Sequence, residues 1–85
     1  MAVRTTESLV TFRRPFLLSG LEERQAAGTY RVVIDEAEIE GISFLAWQRV
    51  ATMIHVPAVT VKTGTRQVFQ VDADELAEAI SADAR

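Results

Sequence analysis

Apolar and polar positions alternate from Gly28 to Asp35: Tyr30, Val32 and Ile34 fall on one side of an extended chain, Arg31, Val33 and Asp35 on the other. That pattern predicts a strand with one strongly apolar face and one mixed face. Leu9-Val10-Thr11-Phe12-Arg13 reads the same way, with Val10 and Phe12 towards a core and Thr11 and Arg13 away from it. Pro15 cannot donate to a ladder, so it marks an edge or a bulge, after which Phe16-Leu17-Leu18 resumes with a bend and Ser19-Gly20 stops. Leu21 to Ala27 shows no strand period and reads as a loop closed by Gly28. The two strands should pair antiparallel across it. Residues 1 to 7 are polar and unpatterned, which predicts a disordered N-terminal tail followed by a single small domain over 8–85.

Asp35 to Gly41 fits two templates. A short capped helix would use Asp35 as cap with Glu38 three residues on, whereas a strand puts Ala37 and Ile39 opposite the glutamates with Gly41 in a hairpin turn. The strand is preferred, because so short a helix is marginal alone. The longest apolar stretch runs from Ile42 to Val56. Val50, Thr52, Ile54 and Val56 are β-branched and share one face, so this segment also reads as strand, although Phe44, Trp47, Ala51 and Ile54 approach a helical stripe. Pro57 ends it. Val59-Thr60-Val61 is a candidate short strand, Lys62 to Thr65 a turn, and Gln67 to Val71 the last strand. Asp72 then stands three residues before Glu75, the spacing of a capping box. Behind it Ala73, Leu76, Ala77 and Ile80 form an apolar stripe opposite Asp74, Glu75, Glu78 and Ser81, which predicts a C-terminal amphipathic helix. The fold class is therefore α+β: a small curled antiparallel sheet of about four strands, open or barrel-like, with one helix packed on it.

Composition narrows the function more than it defines it. The 85 residues are 48% apolar and 25% charged, a globular balance that excludes both disorder and a membrane-spanning segment. Cysteine is absent, so disulfide staples, thiolate metal sites and thiol catalysis are excluded together. The N-terminus lacks the apolar run of a secretory signal, which makes the cytoplasm the default expectation. A formal charge of −3 argues against holding nucleic acid by phosphate neutralisation alone.

Candidate chemistry is sparse. The four glycines are scattered and form no phosphate loop, and none of the serines sits in a nucleophile elbow. His55 is the only histidine, so no His-pair metal motif exists. A catalytic role would need a distant carboxylate. The acidic clusters at 35–40 and 72–78 match no calcium loop and are explained by a solvated face and by helix capping, so neither a metal nor a cofactor is expected. The distinctive constellation comes from alternation. If residues 47 to 55 form one strand, Trp47, Arg49, Ala51, Met53 and His55 point away from the Val50, Thr52 and Ile54 face, joined from the neighbouring strand by Arg31, Val33 and Asp35. Trp and Arg are enriched at interface hot spots and Met adapts to varied partners, so Arg31, Asp35, Trp47, Arg49, Met53 and His55 are the candidate binding residues. The competing reading is that the helix covers this face and the arginines snorkel.

The pattern Phe16-x-Leu18-x-Gly20, Ala27-Gly28-x-Tyr30-x-Val32, then Glu40-Gly41-Ile42-Ser43-Phe44-x-Ala46-Trp47-x-Arg49-Val50-Ala51-Thr52 resembles small hypothetical proteins of bacterial genomes. The resemblance covers roughly half the chain and implies a bacterial cytoplasmic origin, without an activity or functional residues. The leading expectation is a non-enzymatic interaction module, either a homodimer or the small partner of a larger protein. Two alternatives stand beside it. One is single-stranded nucleic-acid binding, with Arg13, Arg14, Arg31 and Arg49 on the backbone and Phe12, Phe16, Tyr30 and Trp47 as stacking platforms. The other is a small enzyme using His55 with a carboxylate.

Overall fold

The computed structural model describes residues 2–41, 46–59 and 66–85. The expected turn at 62–65, most of the short strand at 59–61 and the start of the apolar stretch at 42–45 lie outside the described residues. Four strands, β1 (Val3–Phe12), β2 (Gly28–Glu38), β3 (Trp47–Val56) and β4 (Gln67–Gln70), precede one helix, α1 (Ala73–Asp83). The strands pair antiparallel in the order β1-β2-β3-β4, so the sheet is open, with β1 and β4 at its edges and no closure into a barrel.

The first correction concerns the N-terminus. Residues 3–7, read as part of a disordered tail, belong to β1, whose ladder with β2 runs without a break from Val3 opposite Ala37 to Phe12 opposite Gly28. Thr5 and Thr6 are β-branched strand formers, and each residue opposes one of the regular β2 strand. The extended reading of residues 35–38 is correct, since β2 continues to Glu38. Gly41 beyond it has φ +80, a backbone state that side chains disfavour.

Why one face of this sheet became the interior follows from three aromatic rings. Phe12 ends β1, Tyr30 begins β2 and the chain turns back after Pro15 to bring Phe16 over both. Phe12 and Phe16 stack at 3.8 Å between centroids, and Tyr30 meets Phe16 edge-on at 5.1 Å. The Tyr30 hydroxyl donates to the Ala26 carbonyl at 2.6 Å, so the polar tip of a buried ring is satisfied. Phe16 also bridges to Gln25 through paired backbone hydrogen bonds, which folds 13–27 into a flap carrying Leu18 and Leu21 onto Val32, Ile54 and Val56.

The helix completes this layer. Asp72 caps it, its carboxylate accepting from the backbone of Asp74 at 2.9 Å and Glu75 at 3.0 Å. Its inward face differs from the expected stripe: Leu76 is buried and Ala79 packs on the core, while Ala77 and Ile80 are exposed. Polar anchors set this rotation. Glu75 accepts from the Ser19 backbone and hydroxyl at 2.7 and 3.0 Å, and Asp83 accepts from the backbone N–H groups of Arg13 and Arg14 at 2.9 to 3.1 Å. Residues 75, 76, 79 and 83 share one helical face, so fixing the two carboxylates turns Leu76 inward and Ile80 out. No residue of the last turn is basic, and the Arg14 guanidinium takes that role by donating to the carbonyls of Ala82, Asp83 and Arg85.

Two measurements test this packing. The Asp83 carboxyl is held below its ordinary value of 3.8, chiefly by the Arg13 backbone hydrogen bond. Its contribution to stability is therefore full above that value and fades as pH falls through the lower value of the folded state. Acid unfolding followed by circular dichroism should show Asp83→Asn losing less stability than wild type across this window. Thr52 is buried, and its hydroxyl has no hydrogen-bond partner among the described residues. Thr52→Val should raise stability by about 1 kcal/mol in urea unfolding, and a loss of similar size would show that the hydroxyl has a partner.

Candidate functional site

The helix and the flap cover the face that carries Tyr30, Val32 and Ile54, and among the described residues no second layer lies on the other face of the sheet. The competing expectation, that the helix would cover the mixed face, is thereby answered. Cross-strand pairing arranges the uncovered face in rows. Leu9, Arg31, His55 and Val68 form one row; Glu7, Val33, Met53 and Gln70 form the next; Thr5, Asp35 and Ala51 form a third. Arg31 pairs with Glu7 at 2.9 Å, and Asp35 accepts from the Thr5 hydroxyl at 2.7 Å. Leu9 and Val68 are 62% and 51% exposed, whereas Val33, Met53 and His55 between them are half-buried. The surface is thus an apolar and polar mosaic whose two charged groups of β2 already have partners on β1.

Four of the six candidate residues, Arg31, Asp35, Met53 and His55, are brought together here. Trp47 and Arg49 are not, and the cause is one extra residue. The β2–β3 register shifts between Asp35, opposite Ala51, and Glu36, opposite Arg49, which leaves Val50 without a counterpart on β2. Because side chains alternate with a period of two, one inserted residue transfers everything beyond it to the other face. Val50, expected to be buried with Thr52 and Ile54, is half exposed, and Trp47 and Arg49, opposite Glu38 and Glu36, share the face of Arg4 and Ile34.

Trp47 is engaged there. The Arg4 guanidinium lies 4.4 Å from its ring centroid while donating to Glu36 at 2.9 Å, so Arg4 is held between an indole and a carboxylate. Sequence reasoning missed Arg4, Thr5 and Glu7 because it assigned them to a tail. The signal that locates them is the β-branched pair Thr5-Thr6 between opposite charges, an alternation continuous with Val10 and Phe12.

The alternative sites lose their groups. Phe12, Phe16 and Tyr30 are at most 8% exposed, and Arg13 and Arg14 are bonded to the helix C-terminus, so this set is not a stacking surface with a basic track. His55 has Arg31 and Val68 as ladder neighbours, neither of them a carboxylate. An open groove of about 630 Å³ between β3 and the β4–α1 junction is lined by Arg49, Thr52, Gln70 and Asp72 among others, but not by His55. Among the described residues no three potential ligands gather into a metal site, and no helix is long and apolar enough to cross a membrane.

Compared with known proteins, the chain matches no family model, and neither curated proteins nor solved structures give a significant match. Any functional reading must therefore come from the geometry.

Trp47 is the only tryptophan, which makes its burial directly readable. Arg4→Ala should increase acrylamide quenching of its fluorescence and cost about 0.5–1 kcal/mol. Unchanged quenching would show that the indole is shielded without Arg4.

Proposed function

We propose that this chain is a non-enzymatic binding module whose uncovered sheet face receives a protein partner, with Arg31, Asp35, Met53 and His55 as the contact residues. The observation that carries the reading is that, among the described residues, the sheet is covered on one side: helix and flap both pack on the Tyr30 face, while the opposite face presents half-buried Val33 and Met53 among Glu7, Arg31, Asp35 and His55. Such a surface suits recognition. Apolar centres with polar surroundings give both burial and orientation, and the thioether of Met53 adapts to a partner's shape. The overall shape agrees. A radius of gyration of 14.6 Å exceeds the about 12 Å expected for a compact domain of this length, as befits a sheet with one layer of cover.

Substitution on the uncovered face separates binding from folding, because none of these side chains enters the core. The immobilised chain should retain a specific protein from native lysate, and Met53→Asp or His55→Glu should reduce that retention at least tenfold with an unchanged circular dichroism spectrum. A partner held equally by wild type and both variants would overturn the assignment of this face.

A further inference from the structure

The edge strand β1 offers a second kind of surface. It is ten residues long, its positions 3 to 9 are all exposed, and it contains neither a proline nor a bulge along its pairing with β2. Edge strands of soluble proteins are ordinarily blunted by such devices or by free charge. Here the two charges of the strand are directed back along the sheet, Arg4 to Glu36 and Glu7 to Arg31, and so do not guard the edge. The backbone groups on the open side can be identified. Glu38 donates to the Ala2 carbonyl at 2.9 Å, so even positions of β1 direct N–H and C=O towards β2, and odd positions turn theirs outward.

We propose that β1 pairs antiparallel with β1 of a second copy, about a two-fold axis through Thr6, to make one continuous eight-stranded sheet. Among the registers that keep matching faces together, this one places Val3 opposite Leu9 of the second copy, twice, and so covers two side chains that are 61% and 62% exposed in the single chain. It sets Arg4 opposite Ser8 and Thr5 opposite Glu7, and places no like charges directly opposite one another. An axis through Glu7 would oppose two glutamates, an axis through Ser8 would set Glu7 against Leu9, and an axis through Leu9 would leave Val3 unpaired. In the Thr6 register the outward groups of Val3, Thr5, Glu7 and Leu9 form about eight inter-chain hydrogen bonds. An axis perpendicular to the sheet also keeps both uncovered faces on one side, so the rows containing Arg31 and His55 run on across the junction. This inference rests on the reading of the chain as a binding module but uses its edge, not its face.

Sedimentation equilibrium of the full chain over a range of concentrations should give a mass near twice 9.4 kDa. Val3→Glu and Leu9→Lys should each shift the mass towards the monomer, and the double variant, which sets Glu against Lys at both ends, should restore the dimer. Thr5→Pro removes an outward N–H without touching the β2 ladder and should also dissociate it. Amide exchange on unmodified protein needs no variant: Val3, Thr5, Glu7 and Leu9 should be protected increasingly with concentration. A wild-type monomer at every concentration, fast exchange at these four amides, or a double variant no more dimeric than its parents would overturn the proposal. Met53→Asp should leave the dimer intact, so a monomer that still captures its partner sinks the edge and spares the face.

Discussion

The packing of Phe12, Phe16 and Tyr30 is the interaction on which the rest of the structure depends. An isolated four-stranded meander has two equivalent sides, and something must decide which becomes interior. Here two rings come from the ends of paired strands and the third from the chain that connects them, so closing the β1–β2 hairpin and choosing the covered face are the same event. Once Phe16 lies on that side, the flap places Leu18 and Leu21 there, Ser19 and the Arg13–Arg14 backbone are positioned to bind Glu75 and Asp83, and the helix follows.

That choice defines the uncovered face by subtraction. Its residues are neither clean solvent surface nor clean core, since a strand at the centre of a sheet has a neighbour on each side. Val33 and Met53 on the two central strands are half-buried, and Leu9 and Val68 on the edge strands are exposed. The bulge at Val50 then divides the sheet lengthwise. On one side of it β3 contributes Met53 and His55 to the open face; on the other it contributes Trp47 and Arg49 to the opposite face, where Arg4 and Glu36 meet the indole. A single unpaired residue thus separates two polar constellations that simple alternation would have merged.

The edge and the face belong to one logic. A short chain without cysteine has little interior with which to offset the conformational entropy of folding, and a sheet that is covered on one side leaves surface for intermolecular contact. A protein partner on the face and a second copy at the edge are compatible, because the first uses side chains standing out of the sheet and the second uses backbone groups lying in its plane.

What the sequence determined by itself was local. Alternation located β2 and the second half of β3, the Asp72 to Glu75 spacing placed the helix start, and the polar composition of 35–38 did not obscure its strand character. Local preference suffices there because each signal is a property of a few adjacent residues. Tertiary structure decided the remainder: that residues 3–7 join the sheet, since pairing with β2 supplies what a polar segment lacks alone; that Ile80 turns outward, since Ser19 and Arg13–Arg14 fix the rotation of the helix; and that Trp47 and Arg49 leave the face of Met53 and His55. A bulge is a relation between two strands, and no periodicity within one strand contains it.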